Sequence, residues 1–161
     1  MREKGVGADI REAMARVPAA TVVVTTLSPE GFRALTATTF VAVSLEPPLV
    51  LACLDSLAAT RDAVAGSEVF AVSVLERADE FLAERFSGRA PLVDPAWREV
   101  PHRLATSGAP ILERAVAWFD CRLRELRPAG DHDLAVGSVL DWGTGGGEPL
   151  VYWDRAFWRL S

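Results

Sequence analysis

Lysine is nearly absent from this chain: of its 17 basic residues all but Lys4 are arginine. Cysteine is as scarce. Cys53 and Cys121 lie far apart, each inside an apolar segment. Two thiols are too few for a structural zinc site and read as buried and reduced. The histidines are also two, His102 and His132, with no partner spacing between them, and no Gly-x-Ser-x-Gly elbow occurs. Unaided nucleophilic or acid–base catalysis therefore has little to work with. No apolar run approaches the roughly 18 residues of a membrane span. The first twelve residues mix acids with bases and lack a signal peptide's apolar segment, which points to the cytoplasm. With a net charge of −5 and no basic block, nucleic acid is a poor partner.

What is present is globular: 50% hydrophobic and 24% charged residues over a length that suits one domain, residues 1–161. A chain of this size buries roughly 68–70% of its unfolded surface. Ile10, Ala13, Met14 and Val17 mark a short amphipathic helix ended by Pro18. Thr21 to Leu27 is β-branched almost throughout and reads as a buried strand, followed by a turn at Ser28–Gly31. Arg33 to Asp55 forms the central stretch. Three threonines, Thr36, Thr38 and Thr39, cluster around Ala37 and lead into two apolar runs parted by a Pro47-Pro48 corner. Hydroxyls beside an apolar floor are the kind of wall a planar, polar-edged ligand needs, although a sheet with threonine on its solvated face has the same pattern.

Further on, Arg61–Gly66 reads as a helix with Thr60 as N-cap and Gly66 as its C-terminal left-handed residue. Val69–Leu75 is a strand, and Ala78, Phe81, Leu82 and Phe86 form a second amphipathic helix. Residues 89–108 read as a loop carrying Trp97 and His102. Ala117, Phe119, Cys121 and Leu123 alternate with Trp118, Asp120, Arg122 and Arg124, a strand with one face inward and one mostly polar. His132–Trp142 is the next strand. Gly143–Gly147 suits a hairpin loop better than a phosphate cradle, because no helix follows it. Residues 150–153 and 157–160 close the chain as strands. About seven strands and three short helices, without regular βαβ alternation, predict a mainly β fold, an antiparallel barrel with helical decoration. Asp131-His132-Asp133 is the densest titratable cluster. Adjacent strand residues point to opposite faces, so it is a poor metal site, and a solvated turn is its plainest reading. Poverty in catalytic side chains suggests a bound or borrowed cofactor.

Several segments, in this order and spacing, carry a resemblance. They are T-V-V-V-T-T at 21–26, L-T-A-T-T-F-V-A-V-S-L-E-P-P-L-V-L at 35–51, F-A-V-S-V-L at 70–75 and R-F-S-G at 85–88. G-A-P-I-L at 108–112, A-G-D-H at 129–132 and L-V-Y-W-D-R-A-F at 150–157 complete the set. The chain resembles the flavin reductase-like, split-barrel FMN-binding family, small reductase components of two-component flavin-dependent monooxygenases. It departs at Leu35, Ala42 and Ser73, where the family more often has glycine, serine and asparagine, and at Ala19-Ala20, where the family usually has Thr-Gly.

The resemblance implies a split antiparallel β-barrel and NAD(P)H:flavin oxidoreductase activity, with hydride passing from nicotinamide C4 to flavin N5. It implies FMN or FAD, NADH or NADPH as co-substrate, a flavin-dependent oxygenase as partner, and a homodimer. By the same resemblance Thr36, Ala37, Thr38 and Thr39 line the flavin ring and ribityl chain, continued by Cys53, Leu54 and Asp55. Ser56 and Thr60 receive the phosphate, a role that fits the free N–H groups of a helix N-terminus. Arg85 and Phe86 match an R-F pair near the cofactor. His132 matches the histidine of a G-D-H motif by the nicotinamide, with Tyr152 nearby. Two rivals stay open: a related barrel oxidoreductase with permanently held flavin, and a non-catalytic flavin- or haem-binding module. A retained G-D-H motif argues against the pure binder.

Overall fold

The structure, a computed structural model, describes residues 6–88 and 97–161. A seven-stranded antiparallel sheet forms its body. The strands are β2 (Val22–Ser28), β3 (Gly31–Ala37), β4 (Phe40–Leu45), β5 (Pro48–Asp55), β6 (Val69–Val74), β9 (Ala117–Ala129) and β10 (His132–Thr144), in the spatial order β3-β2-β6-β9-β10-β5-β4. The two edge strands, β3 and β4, are consecutive in the chain and joined only by Thr38 and Thr39. Three Cα steps span at most about 11 Å. The sheet must therefore curl until its edges nearly meet, a barrel split at the threonines.

The barrel interior is filled by Val22, Val24, Val50, Ala52, Leu54, Phe70, Val72, Cys121 and Ala135, with Val64 of helix α2 (Ala59–Ser67) closing one end. Phe70 fits because of Gly137: a Cβ there would lie 2.6 Å from its Cζ. A second core lies outside the barrel, where Val23, Leu75, Leu82, Ala83, Phe86, Val100, Leu112 and Leu150 pack together. β2 is thus buried on both faces, which explains its unbroken valine run. Helix α3 (Glu80–Arg85), preceded by a 3₁₀ turn at Arg77–Asp79, supplies part of this outer core.

Several expectations change in detail. Residues 97–108, read as loop, hold a 3₁₀ turn at Trp97–Glu99 and β7 (His102–Leu104), which pairs with β8 (Pro110–Leu112). Asp120 is fully buried rather than on a polar outer face, and accepts hydrogen bonds from the Ser107 backbone N–H (2.9 Å) and hydroxyl (2.5 Å). Neither cap proposed for α2 holds. Its N-cap is Ala58, without a side-chain bond, and the left-handed residue is Glu68 (φ 60°), whose N–H donates to the Val64 carbonyl. Gly143–Gly147 is not a hairpin loop. It crosses from β10 to β11 (Val151–Trp153), which belongs to a separate sheet with β1 (Ala19–Ala20) and β12 (Ala156–Trp158). The crossing is tight, since a Cβ on Gly145 would sit 2.2 Å from the Ala115 carbonyl oxygen. The N-terminal helix α1 (Val6–Met14) leaves Ile10 and Met14 about half exposed. Among the described residues no helix is long and apolar enough to cross a membrane.

Candidate functional site

The barrel's split opens into a cleft of about 630 Å³. One wall is β3 and the turn after it, Phe32 to Thr39. A second is Cys53 and Asp55 of β5 with Leu57–Thr60 at the start of α2. Phe86–Gly88 beyond α3, Trp97, His132, Tyr152 and Phe157 complete it. The volume lies within the 300–1,000 Å³ of small-molecule sites.

Ten of the residues singled out in the sequence line this cleft: Thr36, Ala37, Thr38, Thr39, Cys53, Asp55, Thr60, Phe86, His132 and Tyr152. Their roles differ. The Thr36 hydroxyl donates to the Ala83 carbonyl (2.7 Å) and its N–H to the Phe86 carbonyl (3.1 Å), so this threonine anchors α3 to the barrel edge. Thr38 and Thr39 are exposed to the opening. Thr60 is only 4% exposed, yet it borders the cleft, and its hydroxyl makes no hydrogen bond among the described residues. An unpartnered hydroxyl on a residue that borders a cavity is suited to a polar ligand atom.

Three residues fall elsewhere. Leu54 alternates away from Cys53 and Asp55 and lies in the barrel core. Ser56 spends its hydroxyl on Asp133 (2.8 Å). Arg85 is turned from the cleft lining and pairs with Glu99 at 3.7 Å.

His132 sits where β10 begins, its ring half exposed, with Nδ1 2.7 Å from Asp131 Oδ1. That hydrogen bond holds the Asp131 carboxyl below its ordinary value. The carboxylate orients the ring, and Nε2 has no partner among the described residues. The cysteines contribute no nucleophile: burial pushes the Cys53 thiol up and the Cys121 thiol to about 12, so both stay protonated at neutral pH.

Three aromatic residues of the cleft, Phe32, Trp97 and Phe157, are not among the candidates named from the sequence, although their neighbours Phe86 and Tyr152 are. Trp97 stacks on Phe86 (centroids 5.3 Å, 22° between planes), Phe32 meets Trp97 edge-on, and Phe157 packs at 5.4 Å against Tyr152. These residues are distant in the chain, and only Trp97, an isolated large aromatic in a polar loop, carried a local signal. The arrangement offers an open cleft with apolar and aromatic flanks, hydroxyls at the split and one oriented imidazole. It is suited to hold two planar ring systems and to do no covalent chemistry of its own.

The sequence model of the flavin reductase like domain matches residues 14–161. The chain is 36% identical over 155 residues to an FMN reductase (NADH), RutF, of Variovorax paradoxus, covering 96% of this chain and 86% of that protein. It is 36% identical over 151 residues to the reductase component of 4-hydroxyphenylacetate 3-monooxygenase of Thermus thermophilus, covering 93% and 94%. Among solved structures it is similar to the NADH:FAD oxidoreductase SgcE6 of Streptomyces globisporus in complex with NAD and FAD fragments, with a TM-score of 0.87, 30% identity, and coverage of 100% and 96%.

Proposed function

The chain belongs to the flavin reductase-like domain family, and on that premise we propose how its cleft works as an NAD(P)H-dependent flavin reductase that supplies reduced flavin to an oxygenase. The observation that carries this reading is the meeting of the split-edge threonines, the unpartnered Thr60 hydroxyl and the oriented His132 in one cleft. Bound there, flavin and nicotinamide would supply the hydride-transfer chemistry between them.

The chain's own residues bind and orient. Thr38 and Thr39 offer hydroxyl and backbone groups at the split to the polar edge of the flavin ring. Cys53 and Ala37 give it an apolar face. Thr60, in the first turn of α2, offers its hydroxyl to the phosphate, beside the positive end of the helix dipole. His132, fixed through Nδ1 by Asp131, presents Nε2 to the nicotinamide side and orients it rather than shuttling protons. Tyr152, Phe157 and Trp97 exclude water from the rings, which strengthens every polar contact inside.

The flavin is FMN or FAD and the co-substrate NADH or NADPH; relatives named for an FMN reductase and for an NADH:FAD oxidoreductase support both flavins. The working form in this reading is a cytoplasmic homodimer. The edge strand β4 supports the dimer, with Val41, Val43 and Leu45 exposed, and the intracellular supply of reduced nicotinamide supports the location. Oxidation of NADH and NADPH at 340 nm, with and without added FMN or FAD, tests the activity. Flavin-dependent oxidation is expected. Flavin binding without oxidation would leave a binding module instead.

A further inference from the structure

One residue past His132, β10 turns Asp133 to the opposite side, where its carboxylate is 2% exposed. A buried carboxylate is costly unless its oxygens are satisfied. Both are: Oδ1 accepts from the Ser56 hydroxyl at 2.8 Å, and Oδ2 accepts from Arg61 Nε at 2.7 Å. Arg61 and Ser56 together hold the Asp133 carboxyl below its ordinary value.

The partners' positions give this group its meaning. Ser56 lies in the link from β5 to α2, and Arg61 is in the first turn of α2, one residue beyond Thr60. The Ser56 N–H also donates to the Asp131 carbonyl (3.1 Å). On the cleft side of the same strand, His132 pairs across the ladder with Asp55, and both border the cavity. β10 is held independently of Asp133 by its ladders to β5 and β9. The link into α2 is tied to β5 through the Leu57 N–H to Asp55 Oδ1 (2.8 Å) and the Ala58 N–H to the Asp55 carbonyl (3.0 Å). Its N-cap, Ala58, however, gives no side-chain hydrogen bond, and the contact of the helix's own first turn with β10 is the Arg61–Asp133 pair. The element that Asp133 locates is therefore the start of α2.

We propose that Asp133 is a positioning residue for the reaction: through Ser56 and Arg61 it sets the first turn of α2, with Thr60, at a fixed distance from His132. It thereby sets where a nucleotide's phosphate end lies relative to the nicotinamide-facing imidazole. The proposal rests on the assignment of Thr60 and His132 to those two ends of the cleft. Nucleotide binding and hydride transfer are coupled by one ion pair beneath the floor of the site. Removing Arg61 alone strands the buried charge, so the two substitutions are non-additive.

The test compares D133A, D133N, R61Q and the D133N/R61Q pair with the intact chain. It reads FMN affinity by flavin fluorescence quenching, KM and kcat for NADH, melting temperature, and the imidazole ¹⁵N signals. With only His102 and His132 in the chain, the latter are assigned by one H102Q control. The expected result for D133A is an increase of about tenfold in both FMN Kd and NADH KM with kcat changed less, below what a full ångström of misplacement costs. The His132 signal shifts and the His102 signal does not. D133N, which keeps an acceptor oxygen, recovers much of the loss, and the pair is no worse than R61Q. D133N also serves where D133A fails to fold. A lower melting temperature in both Asp133 variants with unchanged Kd, KM and His132 signal would overturn the proposal, leaving a structural staple. Failure of the underlying assignment shows separately, as unchanged NADH KM in H132A and unchanged FMN Kd in T60A.

Discussion

Asp55 and His132 are cross-strand partners at the ends of β5 and β10, and both face the same cleft. One ladder rung thus fixes the imidazole relative to the wall that ends at α2. With Nδ1 held by Asp131, the ring has one orientation to offer. His132→Ala should lower kcat/KM for NADH about 10- to 100-fold, the usual cost of lost orientation, while FMN affinity stays within about twofold. Steady-state kinetics beside a fluorescence titration checks this; unchanged kinetics would remove the histidine from the mechanism.

The threonines should separate into an anchor and a ligand contact. Thr36→Val removes the bond to the Ala83 carbonyl and should cost about 1 kcal/mol of stability, read in urea unfolding. Thr60→Ala removes a hydroxyl that holds no protein partner among the described residues. It should weaken FMN binding about 10-fold or a little more, a hydrogen bond to a charged group being worth about 1.5 kcal/mol, with a loss of stability no larger than the roughly 0.8 kcal/mol of one buried methyl.

The two thiols report on the cleft and the core. Cys53 borders the cleft and Cys121 is fully buried. Both thiols are raised above their ordinary value by burial. A disulfide reagent should therefore modify Cys53 slowly at pH 7 and faster with rising pH, and modify Cys121 only in denaturant. Saturating FMN should protect Cys53. Modification at the same rate with FMN bound would move the flavin away from β5.

Gly137→Ala should be among the most destabilising single-atom changes in the chain. The added Cβ meets Phe70 Cζ at 2.6 Å and Cys121 Cβ at 2.8 Å in a filled barrel, a clash worth roughly 1–3 kcal/mol. Chemical unfolding measures it; a loss under 0.5 kcal/mol would show that Phe70 has room to move.

Acid stability follows from Asp133. Its carboxyl is held below the ordinary value of 3.8 by Arg61 and Ser56. A depressed carboxyl contributes stability that is present above its unfolded value and lost as the pH falls through the folded one. Asp79 is shifted the opposite way by burial, so the contribution of Asp133 is read as a difference. The stability gap between the intact chain and D133N should narrow below about pH 4 and be constant from pH 5 to 7. A gap independent of pH down to 2 would mean that the carboxylate is not held as the structure shows.

Much of the fold was legible because its signals are long. The unbroken β-branched run of β2 and the alternation in β9 each extend over enough residues to read as a strand, and the threonine cluster marks the chain's passage between the two edges of the barrel. What escaped is short or distant. β7 and β8 have three residues each, too few for any periodicity. Leu54 was assigned to the cleft wall with its neighbours, although strand alternation sends it to the core. Ser56 and Asp133 are 77 residues apart, and nothing local in either announces their bond. Asp120 looked like one of the polar positions along its strand, because the turn that covers it is brought there by another pairing.

The central claim, that this cleft brings nicotinamide and flavin together for hydride transfer, is tested most directly by anaerobic mixing of the protein with FMN and NADH or NADH deuterated at C4. The absorbance of oxidised flavin near 450 nm is followed in time. The expected result is bleaching that the protein accelerates, slower with the deuterated nucleotide and slower still in H132A. Flavin that binds, seen as quenched fluorescence, but is bleached no faster than in free solution would contradict it.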